Sequence, residues 1–207
     1  MLKSNPSRLE RGAVSRLRII GGNLKGKKLF TLKGVDLRPT ADRVKEAIFD
    51  ILQNCIHGKK VLDLFAGTGA LGIEALSRGA RKAVFVEGSA RSRAVLLKNI
   101  GACRLKEQAE VLGRGAREGI KILEKRGELF DLVFLDPPYG KGLARHALQA
   151  LSRGFILAPG ALIVAEHAPS ENLDFLASLE RIDQRRYGIT QVSFFHPLQG
   201  GELPVQD

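Results

Sequence analysis

Residues 61–72 read VLDLFAGTGALG. The apolar residues Val61, Leu62 and Leu64 run into Gly67, Gly69 and Gly72, which spell G-x-G-x-x-G where a predicted strand gives way to a helix. Glycines there let the backbone turn tightly and approach a ligand closely, and the following helix presents free N–H groups. Glu87 ends the next predicted strand, where a carboxylate can accept both hydroxyls of an adenosine ribose. Such a turn serves a nicotinamide dinucleotide and S-adenosylmethionine alike. Asp63, inside the strand where a nicotinamide fold keeps an apolar residue, favours the second, because a carboxylate there can hold a methionine ammonium. A tight turn without a ligand is the plain alternative.

Outward from this turn, strands alternate with helices from residue 59. Strands are expected near 60–65, 83–87, 109–112, 131–135 and 160–166, and helices near 70–78, 89–100, 116–126, 142–151 and 171–178. That alternation predicts an α/β fold with a doubly wound parallel sheet. The last strand-like runs, 180–187 and 189–196, pivot on Tyr187-Gly188. So short a link permits a hairpin and no helical crossover, so the sheet should end in an antiparallel pair. Upstream, Val44, Ala47, Ile48, Ile51 and Leu52 recur at helical spacing within 40–54, with Thr40 as N-cap, Asp42 in the first turn and Arg43, Lys45 and Asp50 on the polar face. Residues 17–31, LRIIGGNLKGKKLFT, read as a basic β-hairpin, followed by a turn at Gly34; 1–16 read as an arm. The predicted division is a basic arm and hairpin over 1–37 and one catalytic domain over 38–207.

Of the net charge of +11 over 207 residues, +9 lies in residues 1–45, where twelve Lys or Arg face only Glu10, Asp36 and Asp42. A basic segment on a nearly neutral body is the footprint of a protein that grips phosphates at one end; a solvated basic tail is the alternative. Cys55 and Cys103 are too few and too isolated for a disulfide framework or a zinc site. With no apolar run of membrane-spanning length and no signal-peptide pattern, the expectation is a cytoplasmic protein without metal or membrane.

The strand FDLVFL at 130–135 runs into Asp136-Pro137-Pro138-Tyr139-Gly140. In an open α/β sheet this places Asp136 and Tyr139 on the same rim as Gly67 and Glu87. An exocyclic base amine is a poor nucleophile, because its lone pair is delocalised into the ring. The Asp136 carboxylate and Pro137 carbonyl can both accept from such an amine and fix it for in-line attack on a sulfonium methyl. Pro137 and Pro138 lock the carbonyl in place, and Tyr139 offers a flat face to an unstacked base. A rigid strand exit is the alternative reading of the same tetrad.

These stretches, with RIIGG at 18–22, KGKKL at 25–29, RPTADRVKEAIFDIL at 38–52, FVE at 85–87 and FLDPPYGKG at 134–142, resemble the RsmD-type guanine-N2 methyltransferases of bacterial small-subunit ribosomal RNA. The resemblance runs in order through most of 18–145 and is looser beyond. It implies a Rossmann-like S-adenosylmethionine-dependent methyltransferase fold with a seven-stranded sheet. It also implies S-adenosyl-L-methionine as cofactor, contacted by Asp63, Phe65, Ala66, Gly67, Gly69, Leu71, Glu87 and Ala116. The target base goes to Asp136, Pro137, Pro138 and Tyr139. The substrate implied is 16S ribosomal RNA, free or within the small subunit, held through Arg18, Lys25, Lys27, Lys28, Arg38 and Arg43 by a monomer. Thr40 and Asp42 are further candidates on the 38–50 stretch, which resembles a lid. Two departures stand out. Gly113-Arg114-Gly115-Ala116-Arg117 offers no acid or amide for an adenine amine, leaving backbone groups or Arg117, and Gly88-Ser89 replaces an acidic or amide residue after Glu87.

Four other readings compete. Asp-Pro-Pro-Tyr also suits a DNA adenine-N6 methyltransferase, although the chain has no room for a separate target-recognition domain. A glutamine-modifying protein methyltransferase can use a similar tetrad, against which the basic segment argues. A catalytically silent RNA-binding module would need neither Asp136 nor the glycine turn. An NAD-dependent enzyme lacks a hydride-transfer acid on this rim. His57, His146, His167 and His196 are too scattered to share a site.

Overall fold

The computed structural model describes residues 17–32, 39–174, 176 and 178–198. The arm 1–16, the turn at Gly34 and Arg38 lie outside them, as do the side chains of Thr40 and Asp42. The described chain forms α1 (Pro39–Ile51), β1 (Lys60–Asp63), α2 (Ala70–Ser77), β2 (Lys82–Val86), α3 (Ala90–Cys103) and β3 (Ala109–Leu112). It continues as α4 (Ala116–Lys125), β4 (Phe130–Leu135), α5 (Leu143–Arg153), β5 (Leu157–His167), β6 (Leu179–Tyr187) and β7 (Thr190–Pro197). Seven strands make one sheet in the order β3-β2-β1-β4-β5-β7-β6. The first five run parallel to their neighbours, and β7 runs antiparallel to both β5 and β6. The strand order therefore reverses between β1 and β4, and the cleft outside that point is where such sheets take ligands.

Strand periodicity of two sorts the buried residues into two layers. Val61, Phe85, Leu132, Phe134 and Val164 pack with α1, α2 and α3. Leu62, Val84, Val133, Leu135 and Ile163 pack with α4 and α5. The same parity carries Asp63 and Glu166, and one residue past their strands Glu87 and Asp136, to the α1–α3 side of the rim. Four carboxylates thus end four adjacent strands.

Three expectations change. The buried face of α1 is Val44, Lys45, Ile48, Phe49 and Leu52, whereas Ile51 is exposed. The helix is rotated because Phe49, packed on Phe134 with ring centroids 5.6 Å apart, hides more apolar surface than Ile51 would. Lys45 can enter the core because Glu74 awaits it. The helix starts at Pro39, a residue preorganised for a first helical turn, so Thr40 lies inside it rather than capping it. No helix forms among the described residues of 171–178. Asn172 Oδ1 instead accepts from Asp174 N at 2.7 Å, a local bond that competes with a helical turn, while Leu173 and Leu176 are buried. The N-terminal hairpin is present in short form: Arg18 and Lys28 bridge antiparallel, Ile19 N donates to Lys27 O and Leu29 N to Leu17 O, both at 2.9 Å, and the chain reverses through a 3₁₀ turn at Gly22–Leu24.

Candidate active site

The three glycines after β1 do different things. Gly69 caps α2 with φ of 88°, a left-handed conformation that L side chains rarely adopt. Gly72 lies against β2, where a Cβ would stand 2.3 Å from Phe85 Cε1. Gly67 has no such neighbour, its nearest contact being 4.0 Å away, so its backbone is open to close approach. Its N–H donates to Glu87 Oε2 at 2.7 Å, and Ser89 N donates to Glu87 Oε1 at 2.6 Å. Glu87, half-buried, therefore fixes the turn and keeps acceptor capacity to spare.

Asp63 is buried and accepts from Gly72 N at 3.0 Å. Burial pushes its pKa from 3.8 to about 7, against the pull of that hydrogen bond and with a further push from Glu87. Asp136 keeps its side chain open to the cleft. The protein packed around it, then Glu166 and then Asp63, hold its pKa well above the ordinary carboxylate range. Because water still reaches the side chain, the dehydration share of that push grows only when a ligand fills the cleft. Pro137 is buried, Pro138 exposed and Tyr139 half-buried. The Tyr139 hydroxyl donates to Glu166 Oε1 at 2.7 Å and lies 2.9 Å from Thr190 Oγ1. Burial first, then Glu166 and Asp136, raise the phenol's pKa, so it stays a neutral donor. Burial also raises the Glu166 carboxyl, partly offset by the Tyr139 bond.

Two cavities meet at Phe65. One, of about 240 Å³, is lined by Asp63, Phe65, Ala66, Gly67, Leu71 and Asp136, joined by Lys45 and Glu166. The other, of about 830 Å³, lies between α4 and α5 and includes Gly115, Ala116 and Arg117. The smaller one is the candidate site, because Asp63, Glu166 and Asp136, the first residue of the tetrad, all line it. The larger is mostly the groove between two helices, touching the rim at Phe65, Gly115 and Ala116. Most of the candidate cofactor contacts are thus assembled in one place. Gly69 supports the turn from behind, and Ala116 reaches it only across Phe65.

Sequence reasoning missed Glu166, Thr190, Lys45, Glu74 and Asn99. An acid in the apolar run LIVAEH was the available signal for Glu166, and Glu74 inside ALGIEALS was the signal for a buried partner. Glu74 Oε1 accepts from Gly21 N at 2.7 Å and Arg78 Nε at 2.9 Å, and Oε2 accepts from Ile20 N at 2.8 Å with Lys45 Nζ at 3.5 Å. Lys45 Nζ also donates to Arg18 O at 2.6 Å. Asn99 takes Phe30 N on Oδ1 and donates Nδ2 to the carbonyls of Phe30 and Thr68. The basic segment is therefore clamped to α2, α3 and the glycine turn. On it Arg18, Lys25 and Lys28 are exposed and Lys27 is half-buried, and Arg43 is exposed on α1. None of these five forms an ion pair with a described acid.

A family model described as conserved hypothetical protein 95 matches residues 17–196. The Ribosomal RNA small subunit methyltransferase D of Haemophilus influenzae is 43% identical over 74% of this chain and 80% of its own. The chain belongs to the RsmD methyltransferase family. The Escherichia coli K12 member of the same name is 38% identical over 73% of this chain and 74% of its own. Among solved structures, the Escherichia coli protein yhhF, a candidate methyltransferase, superposes with a TM-score of 0.78 at 30% identity, covering 88% of this chain and 98% of that one. The sheet order with its antiparallel end pair is the Rossmann-like methyltransferase fold expected from the sequence.

Proposed function

We propose that this RsmD-family chain methylates the exocyclic N2 amine of a guanine in 16S ribosomal RNA, with S-adenosyl-L-methionine as methyl donor. The observation that carries the reading is the convergence of Asp63, Gly67 and Asp136 on one cleft beside the basic segment. The relatives named as ribosomal RNA small subunit methyltransferases support the substrate class. In the same reading, residues 1–37 serve as the RNA-gripping arm and 38–207 as the catalytic domain, working as a cytoplasmic monomer.

The residues fit such a donor. Its ammonium is a cation that the Asp63 carboxylate can meet and its ribose offers hydroxyls to Glu87, while the open backbone at Gly67 gives room for close contact. When bound, the donor supplies an electrophilic methyl group. Asp63 would hold the ammonium and Glu87 the ribose hydroxyls. Phe65, Ala66, Leu71 and Ala116 would enclose the apolar parts, with Ala116 and Arg117 presenting the first backbone N–H groups of α4 toward the adenine. Asp136 and the Pro137 carbonyl accept from the N2 amine, orienting its lone pair, and Asp136 takes the proton that the amine loses. Tyr139, pinned by Glu166 and Thr190, presents a fixed ring for stacking. Arg18, Lys25, Lys27, Lys28, Arg38 and Arg43 would neutralise phosphates.

The test is transfer of labelled methyl to small subunits, free ribosomal RNA and duplex DNA, with nucleoside analysis of the product. N2-methylguanosine in RNA is expected. N6-methyladenine in DNA would replace this reading with the adenine-N6 alternative, and label in neither would refute both.

A further inference from the structure

The tetrad recognises an amine but does not say whose. Parallel pairing of Leu135 with Ala165 brings the residues that follow them, Asp136 and Glu166, side by side on one face, and both line the same cleft. Tyr139 occupies Glu166 Oε1, and among the described residues Glu166 Oε2 accepts no hydrogen bond. The phenol thus holds the carboxylate still while leaving one oxygen for something in the cleft. Burial raises both carboxyls, so their ionised form, a double acceptor that donates nothing, calls for two donors from whatever occupies the cleft.

Guanine and adenine differ in the atom beside the reacting amine. Guanine sets N1–H, a second donor, next to N2; adenine sets N1, a lone pair, next to N6. Two neighbouring acceptors match the first edge and repel the second. We propose that Glu166 is the specificity-determining residue, its free oxygen accepting guanine N1–H while Asp136 accepts the N2 amine. The inference rests on the guanine-N2 reading above. A site built around a substrate N–H rejects an analogue that lacks it, because the site's own polar group is then left unpaired.

The experiment pairs a variant with an analogue in the full chain. The target guanine is replaced by 2-aminopurine, which keeps the N2 amine but has a lone pair at N1, and both RNAs are assayed with the wild type and with Glu166→Gln. The amide retains an acceptor for Tyr139 and offers a donor to the base. The wild type should prefer guanine by about 10- to 100-fold in kcat/KM. Glu166→Gln should lose a comparable factor on guanine and recover on 2-aminopurine, so that the preference collapses. Cofactor affinity by calorimetry should stay at the wild-type value, which separates lost recognition from a damaged fold. Glu166→Asp, which keeps the charge but withdraws it, should retain the sign of the preference at smaller size and secures the test if the amide variant folds poorly. A preference that is the same in wild type and variants would overturn the role of Glu166 while leaving the guanine-N2 reading intact. Absence of N2-methylguanosine from the wild-type product would overturn that reading itself and this inference with it.

Discussion

Glu74 and the Asp136–Glu166 pair are acids placed on opposite sides of the same problem. Glu74 is completely buried, and its two oxygens meet two backbone N–H groups, the Arg78 guanidinium and the Lys45 ammonium. Asp136 and Glu166 have one described donor between them, the Tyr139 hydroxyl; burial raises both carboxyls, and Glu166 pushes Asp136 up further. A satisfied acid fastens one piece of chain to another, whereas an unsatisfied one waits for a ligand. The contrast separates the part of the molecule that holds the basic segment in place from the part proposed to do chemistry.

The sharpest break of that contrast is Asp136→Ala. Methyl transfer should fall by about 10³-fold or more while cofactor binding and folding stability are kept, read by single-turnover transfer beside an unfolding curve. Glu74→Ala should do the reverse. Leaving Ile20 N, Gly21 N and the Arg78 guanidinium without their shared acceptor should cost about 3–5 kcal/mol of stability, seen as an earlier denaturant midpoint. An unchanged midpoint would refute the fastening role.

Asp63 belongs to both classes, being buried yet facing the cleft, and pH distinguishes its roles. Its folded pKa of about 7 lies above the ordinary 3.8, so the native state holds this proton more tightly than the unfolded chain does. Asp63 therefore subtracts stability progressively as pH rises from about 4 to about 7, and the subtraction is complete above that. Binding a cationic ammonium needs the charged form, so cofactor affinity should rise by up to about tenfold per pH unit below 7 and level off above it. Asp63→Asn should flatten the calorimetric profile. The smallest effect is expected on the basic segment, where Lys28→Ala should weaken RNA binding a few-fold and reduce the salt slope by about one, with kcat unchanged.

The glycine turn, the acid after β2 and the tetrad after β4 were legible because each is local. A turn, a strand end and a proline pair are specified by neighbours in the chain, and all three were located within a residue or two. The antiparallel end of the sheet was legible for a similar reason, since the short link at Tyr187-Gly188 forbids a crossover. The helix expected over 171–178 was not, because Asn172 satisfies the backbone locally there, and periodicity does not weigh such competition.

What only the tertiary structure decided is how separate segments meet. The sequence by itself determined the fold class, the rim residues and the concentration of positive charge at one end. It could not place Lys45, which looked like part of a solvated face until Glu74, 29 positions later, turned out to be buried beneath it. Nor could it join Glu166 to Tyr139, 27 residues apart, because that contact depends on β5 lying beside β4 in one particular register. Register, helix rotation and buried charge pairing are settled by packing over the whole molecule, where the apolar area hidden by one side chain can outweigh the local preference of another.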